Sequence, residues 1–184
     1  KNCILEAARV MHGPAVAAGM PPDALACMTE VSLEGTQELM RCRDTGVILA
    51  TGGIGLVRAA YSSGKPAYGV GPGNVPAYIE KTADVPAAVR HVIAGKTFDH
   101  GTLCSSEQSI VCDEPIADAV RDEVRKNGGY FLSDAEAASV ARVVVTPQRL
   151  ANPEIVGRSA PFIAEKAGIK VPPDTRVLVA PLAG

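Results

Sequence analysis

At 184 residues, 47% of them hydrophobic, the chain is long enough to bury a core, in one domain or in parts of two. A formal net charge of -2 leaves no basic surplus for neutralising phosphates, and 4% aromatic residues are too few for base stacking, so no nucleic-acid partner is expected. No apolar run approaches the roughly 20 residues of a membrane span and no secretory leader is visible, which points away from a membrane and toward the cytoplasm.

The chain opens at Lys1 in helix-like sequence, without an initiator methionine, and stops at Gly184 just after a strand-like run; it reads as a piece of a longer protein. Ile4, Ala8, Met11 and Ala15 share one helical face, and Gly13-Pro14 is expected to bend that helix or end it early. Residues 46–50, GVILA, read as a buried strand. TGGIG follows, and then a short helix, LVRAAYSS, that Gly64 can close. Strand-like AYGVG and AYIE come next, separated by PGNVP, which is too rich in proline for continuous sheet and so predicts a crossing loop.

Asp84 can cap the next helix, with Pro86 in its first turn and Val85, Val89, Val92 and Ile93 on one face. Strand-like QSIVCD follows the segment around Cys104. Ile116, Val120 and Val124 then mark an amphipathic helix whose other face carries Asp118, Arg121, Asp122 and Arg125. Ser133 and Glu136 fit a capping box for a helix reaching about Val144. The tail, APFIAEKAGI and then RVLVA, is helix followed by strand. Helices alternating with short β-branched runs are the pattern of an α/β fold with parallel strands.

Five cysteines, Cys3, Cys27, Cys42, Cys104 and Cys112, are irregularly spaced with no CxxC pair, and His12, His91 and His100 form no ligand pattern with them. No metal site is expected.

Three stretches can carry chemistry. TGGIG, residues 51–55, joins a buried strand to a helix, where glycines let backbone amides approach a pyrophosphate at the positive helix end. Its spacing is not GxGxxG, and a plain tight connection has the same composition. VGPGNVP, residues 70–76, builds a loop of fixed shape that either presents carbonyls and the Asn74 amide to a ligand or simply links two domains. Cys104 lies in a polar loop among Gly101, Thr102, Ser105 and Ser106, where a rigid α/β frame places catalytic side chains, whereas Cys112 sits in an apolar strand. A free cysteine is also often an inert buried side chain. Glu107 and His100 are the nearby titratable groups, open either to base or orienting roles or to solvated ones.

LATGGIGLVRAAYSSGKPAYGVGPGNVPAYI closely resembles the coenzyme A-acylating branch of the aldehyde dehydrogenase superfamily, and KTFDHGTLCSSEQSIV resembles that branch's catalytic cysteine segment. The likeness continues through NPEIVGRSAPFIAEKAGIKVP, so it covers nearly the whole chain. It implies a fold of parallel-sheet layers with flanking helices. Residues 1–73 would form the C-terminal part of a Rossmann-like NAD-binding domain and residues 74–184 the N-terminal part of the catalytic domain. It also implies oxidation of a short-chain aldehyde such as acetaldehyde or propionaldehyde, with NAD and coenzyme A, through a thioester on Cys104. The Cys104 amide would help hold the oxyanion. Thr51, Gly52, Gly53 and Ile54 would meet the cofactor, and Val70, Gly71, Pro72 and Gly73 would pass beside the nicotinamide.

Val70 stands where hydrolytic relatives carry the glutamate that activates water, which favours a thiol acceptor over water. The alternatives are a hydrolytic enzyme that recruits another base, such as Glu107, or a non-catalytic nucleotide-binding or assembly module. Ile54 and His100 depart from the proline and asparagine of many relatives. The resemblance includes enzymes of bacterial microcompartments, so it implies a homo-oligomeric parent, either free in the cytoplasm or associated with such a shell.

Overall fold

The structure, a computed structural model, describes residues 2–182. It falls into two units, one reaching to Pro72 and the other starting at Gly73.

In the first unit, α1 (Asn2–Ala17) is followed by α2 (Leu33–Arg41), β1 (Ile48–Thr51), α3 (Ile54–Tyr61) and β2 (Ala67–Val70). Gly13-Pro14 does not end α1 early, because the helix runs on to Ala17. Pro14 has no N–H for the carbonyl of Val10, and Val10 is exposed, so water can take that acceptor and only one ladder bond is lost. The sequence reading assigns no element to residues 33–41, yet α2 forms there. Ser32 caps it, its hydroxyl accepting the Gly35 N–H at 2.9 Å.

β1 and β2 pair in parallel, with Thr51 opposite Val70. Met40, Ala50 and Ala60 form the buried cluster, and the small size of two of them lets α3 lie close on the strands. Gly69 continues that contact. A Cβ at Gly69 would run into Val57 and Tyr61, and the Gly69 N–H donates to the Tyr61 hydroxyl at 3.0 Å.

In the second unit, β3 (Pro76–Ile79), α4 (Val85–Thr97), β4 (Ser109–Cys112), α5 (Ala117–Lys126), β5 (Gly129–Phe131), α6 (Asp134–Val144), α7 (Ala160–Lys166) and β6 (Val177–Val179) follow in order. β3 pairs in parallel with β4, and β5 with β6. The fold is therefore α/β, built from short parallel pairs with flanking helices. β5, which the sequence reading left unassigned, has only three residues, and its partner strand lies far along the chain.

The core joins Ile79, Val85, Val89, Ile93, Val120 and Val124, with Phe131, Val177 and Val179 packed against them. Val89 and Val124 are fully buried. Each such side chain contributes roughly 1.5–3 kcal/mol relative to exposure. Asp84 caps α4 through the Ala87 N–H at 3.0 Å, and α6 carries the complete Ser133/Glu136 capping box. On the outer face of α5, Arg121 pairs with Asp118 at 2.8 Å and Arg125 with Asp122 at 2.9 Å. Among the described residues no helix is long and apolar enough to cross a membrane, and no group of acidic, histidine or cysteine side chains could hold a metal.

Candidate active site

In the first unit, TGGI spans the end of β1 and the start of α3. Thr51 is the last residue of β1, Gly52 and Gly53 make the turn, and Ile54 begins the helix two residues earlier than the sequence reading placed it. The Gly52 N–H donates to the Val70 carbonyl at 3.0 Å, which ties the turn to the end of β2. Thr51 to Ile54 and Val70 are therefore brought together.

No side chain caps α3, and among the described residues the N–H groups of Gly53, Ile54 and Gly55 have no protein acceptor. A Cβ at Gly53 or Gly55 would meet nothing within 4 Å, so the turn presents bare donors to an open space. Such an arrangement suits an anionic group. Val70 is half exposed and Pro72 exposed, and a Cβ at Gly71 would stand in open space.

In the second unit, Cys104 follows an unusual piece of backbone. After α4, Asp99, His100 and Gly101 all take positive φ, at 48°, 51° and 74°. The left-handed region costs an L-residue roughly 1–2 kcal/mol, and Asp and His are among the residues that tolerate it best. Thr102 holds the turn: its N–H and its hydroxyl both donate to the Asp99 carbonyl, at 3.2 and 3.0 Å, and the hydroxyl also contacts the Asp99 carboxylate. The left-handed turn swings the chain out of α4 and over to the next turn. There the Ser106 N–H donates to the Leu103 carbonyl at 3.1 Å, with Cys104 and Ser105 at the tip.

Cys104 is exposed, and among the described residues its N–H has no protein acceptor. Cys112, at the end of β4, is half-buried against the core. The two cysteines thus separate as the sequence suggests, one presented and one packed.

The two residues that follow the tip carry polar groups inward. Ser106 is 2% exposed, and its hydroxyl and one Glu107 oxygen, Oε2, are enclosed without a hydrogen-bond partner among the described residues. The Glu107 carboxylate lies against Gly95 of α4, where a Cβ would collide with it. It therefore faces the helix backbone, with Oε2 enclosed there away from solvent. His100 is exposed and lies with Lys96, Arg158 and Arg176 along a cleft of about 210 Å³; no hydrogen bond pairs it with Cys104. Asn74 is exposed.

One residue that the sequence reading did not single out organises this region. The Gln108 side chain accepts the Val75 N–H at 3.2 Å and donates to the Gly73 carbonyl at 2.9 Å, while its own N–H donates to the Val75 carbonyl at 3.0 Å. Nothing in local sequence marks such a clamp, because its partners are backbone groups far along the chain.

The profile of the aldehyde dehydrogenase family matches residues 6–128. The chain is 45% identical over 179 residues to the bifunctional aldehyde-alcohol dehydrogenase AdhE of Escherichia coli, covering 97% of this chain and 20% of that protein. An acetylating aldehyde dehydrogenase from Geobacillus thermoglucosidasius superposes with a TM-score of 0.92 at 49% identity, covering 97% of this chain and 39% of that one. A propionaldehyde dehydrogenase from the fucose utilisation bacterial microcompartment of Clostridium phytofermentans superposes with a TM-score of 0.88 at 30% identity, covering 95% and 40%. The chain spans about a fifth of the length of the E. coli relative and about two fifths of the two solved structures. With the family profile covering residues 6–128, the chain belongs to the aldehyde dehydrogenase family.

Proposed function

We propose that this chain is the central part of an NAD-dependent, coenzyme A-acylating aldehyde dehydrogenase, with Cys104 as its nucleophile. Residues 1–73 then belong to the cofactor domain and residues 74–184 to the catalytic domain. The observation that carries the reading is the exposed Cys104 thiol, with a backbone N–H that has no protein acceptor among the described residues, at the tip of a turn, in a chain whose other cysteine in that unit is packed against the core.

The chemistry follows from that arrangement. The Cys104 thiolate adds to the aldehyde carbon, and the Cys104 N–H stabilises the oxygen as it becomes negative. NAD, when bound, accepts the hydride, so the carbon is oxidised by two electrons and an acyl thioester remains on the sulfur. The coenzyme A thiolate then attacks the thioester carbonyl, the bond to Cys104 breaks, and acyl-coenzyme A leaves with the Cys104 thiolate regenerated. The coenzyme A thiol gives up its proton to solvent.

The residues present fit the dinucleotide. The uncapped α3 terminus offers the Gly53 and Ile54 amides, the side-chain-free turn from Thr51 leaves room for an approaching phosphate, and Val70 to Gly73 form the loop assigned to the nicotinamide side. Val70 supplies no carboxylate, and Glu107 is turned into α4, so neither is placed to activate water. The acetylating relative and the propionaldehyde dehydrogenase support a short aliphatic aldehyde and an acyl acceptor. The latter relative comes from a bacterial microcompartment, which supports a parent associated with such a compartment.

The test is a product assay on the full-length protein with propionaldehyde and NAD, with and without coenzyme A. Propionyl-coenzyme A that is lost in Cys104→Ala is the expected result. Free propionate at the same rate with or without coenzyme A would overturn the reading.

A further inference from the structure

We infer that Gln108 is a positioning residue for Cys104, a role that rests on the reading of Cys104 as the nucleophile. Three hydrogen bonds join Gln108 to the crossing loop: two from the side chain, to the Gly73 carbonyl and the Val75 N–H, and one from its own N–H to the Val75 carbonyl. The amide side chain is used at both ends, donating with Nε2 and accepting with Oε1, so each atom has its own partner.

The loop gripped in this way is the one on which the Cys104 turn rests. Gly73 packs so tightly against the Cys104 carbonyl that a Cβ would overlap it. Gln108 therefore fixes Gly73, and Gly73 fixes the peptide that follows the Cys104 sulfur. Below this contact, Ser106 is buried and Glu107 is lodged against Gly95, which leaves the segment between Cys104 and Gln108 little freedom to adjust by itself.

β3 and β4 begin directly beyond the clamp, with Pro76 opposite Ser109. The two side-chain bonds add to the strand ladder at the end where the ladder stops, on the side facing the nucleophile. If the clamp opens, the Cys104 N–H and sulfur keep their chemistry but lose their fixed placement. Placement is what the oxyanion contact requires, since a displacement of about 1 Å can cost on the order of a hundredfold in rate.

The test uses the full-length enzyme with Gln108→Glu and Gln108→Ala. Glu is nearly the same size and keeps an acceptor for the Val75 N–H, but it sets an oxygen against the Gly73 carbonyl where Gln donates. Active sites are counted by the burst of NADH released in the absence of coenzyme A, one for each acylated Cys104, and acyl-coenzyme A formation is then measured per active site. Thermal midpoints and the rate of Cys104 alkylation by iodoacetamide are measured alongside.

The expected result is a fall in kcat per titrated site of about tenfold to a hundredfold in both variants, with the aldehyde KM within about threefold. The alkylation rate should shift several-fold, and the thermal midpoint should not account for the loss. Wild-type turnover per titrated site together with an unchanged alkylation rate would overturn the inference while leaving the acylating reading in place. A wild-type enzyme that forms no acyl-coenzyme A would remove that reading instead, and the alkylation rates would still show whether Gln108 positions the thiol.

Discussion

The carbonyl of Cys104 rests against the α-carbon of Gly73 so closely that no β-carbon fits between them. The obstacle is backbone, not the end of a flexible side chain, so it cannot move aside cheaply. Gly73→Ala is therefore expected to destabilise the catalytic-side unit by about 1–3 kcal/mol, the usual scale of overpacking, and to displace the Cys104 turn. Gly71→Ala is its control, because a Cβ there meets nothing within 4 Å, and its stability should stay within about 0.5 kcal/mol of wild type. Denaturant midpoints of the two variants measure the contrast, and equal midpoints would show that the loop relaxes freely.

The difference between Cys104 and Cys112 gives a prediction that needs no substrate. Cys104 is exposed at the tip of its turn, and Cys112 is half-buried between β3 and the helices that cover it. Iodoacetamide near neutral pH should carbamidomethylate Cys104 well before Cys112, read by mass spectrometry of the peptides. Aldehyde or NAD added beforehand should change the Cys104 rate and leave the Cys112 rate alone. Equal rates for the two thiols, insensitive to either ligand, would argue for a cysteine with no part in chemistry.

Much of this arrangement is legible in sequence because its signals are local. Asp84 before Pro86, and Ser133 three residues before Glu136, name their helix starts directly, and both caps form. The separation of Cys104 from Cys112 also follows from their neighbours. What escapes the sequence is long-range or depends on handedness. Gln108 acts through backbone groups of Gly73 and Val75, so no spacing rule marks it. The left-handed Asp99 and His100 are announced only by the neighbouring Gly101, since neither side chain demands that conformation. β5 is too short to show alternation, and α2 has only Leu33, Leu39 and Met40 as apolar residues, with Gly35 inside it, so its nine residues give a short signal. Pro14 misleads because it falls in the last turn of α1, where one lost hydrogen bond is tolerated.

Stability should fall on acidification through carboxylates that the fold holds ionised. The Tyr78 hydroxyl, at 2.7 Å, and then the Lys81 N–H keep the Asp113 carboxyl below its ordinary range. The Ser133 N–H and hydroxyl, and then the Tyr130 hydroxyl, do the same for Glu136. A pKa lower in the folded state than in the unfolded one gives stability that is present above the unfolded pKa and lost as pH falls through the folded one. The denaturant midpoint should therefore be flat near neutrality and decline below about pH 4. Glu136→Gln should lower the midpoint at neutral pH and make the decline shallower; an unchanged slope would mean that Glu136 contributes nothing to it.

In the full-length enzyme, the side chain at position 70 is expected to decide the fate of the thioester. Val70 ends β2, is half exposed, and lies at the point where the Gly52 N–H anchors the glycine turn to the strand. An apolar side chain there cannot take a proton from water, and Glu107 is turned into α4, so the acyl group on Cys104 should persist until a thiol arrives. If the resemblance to the aldehyde dehydrogenases carries over to this position, Val70→Glu adds a carboxylate where hydrolytic members of the superfamily carry the glutamate that activates water. Since the site is partly open, the new group can stay ionised and act as a general base, a contribution typically worth about a hundredfold or more when well placed. The ratio of propionate to propionyl-coenzyme A should therefore rise in Val70→Glu, and NADH release without coenzyme A should change from a single burst to continuous turnover. A variant that still stops after one burst would show that water is excluded for a reason other than the missing carboxylate, and that Val70 does not set the choice of acceptor.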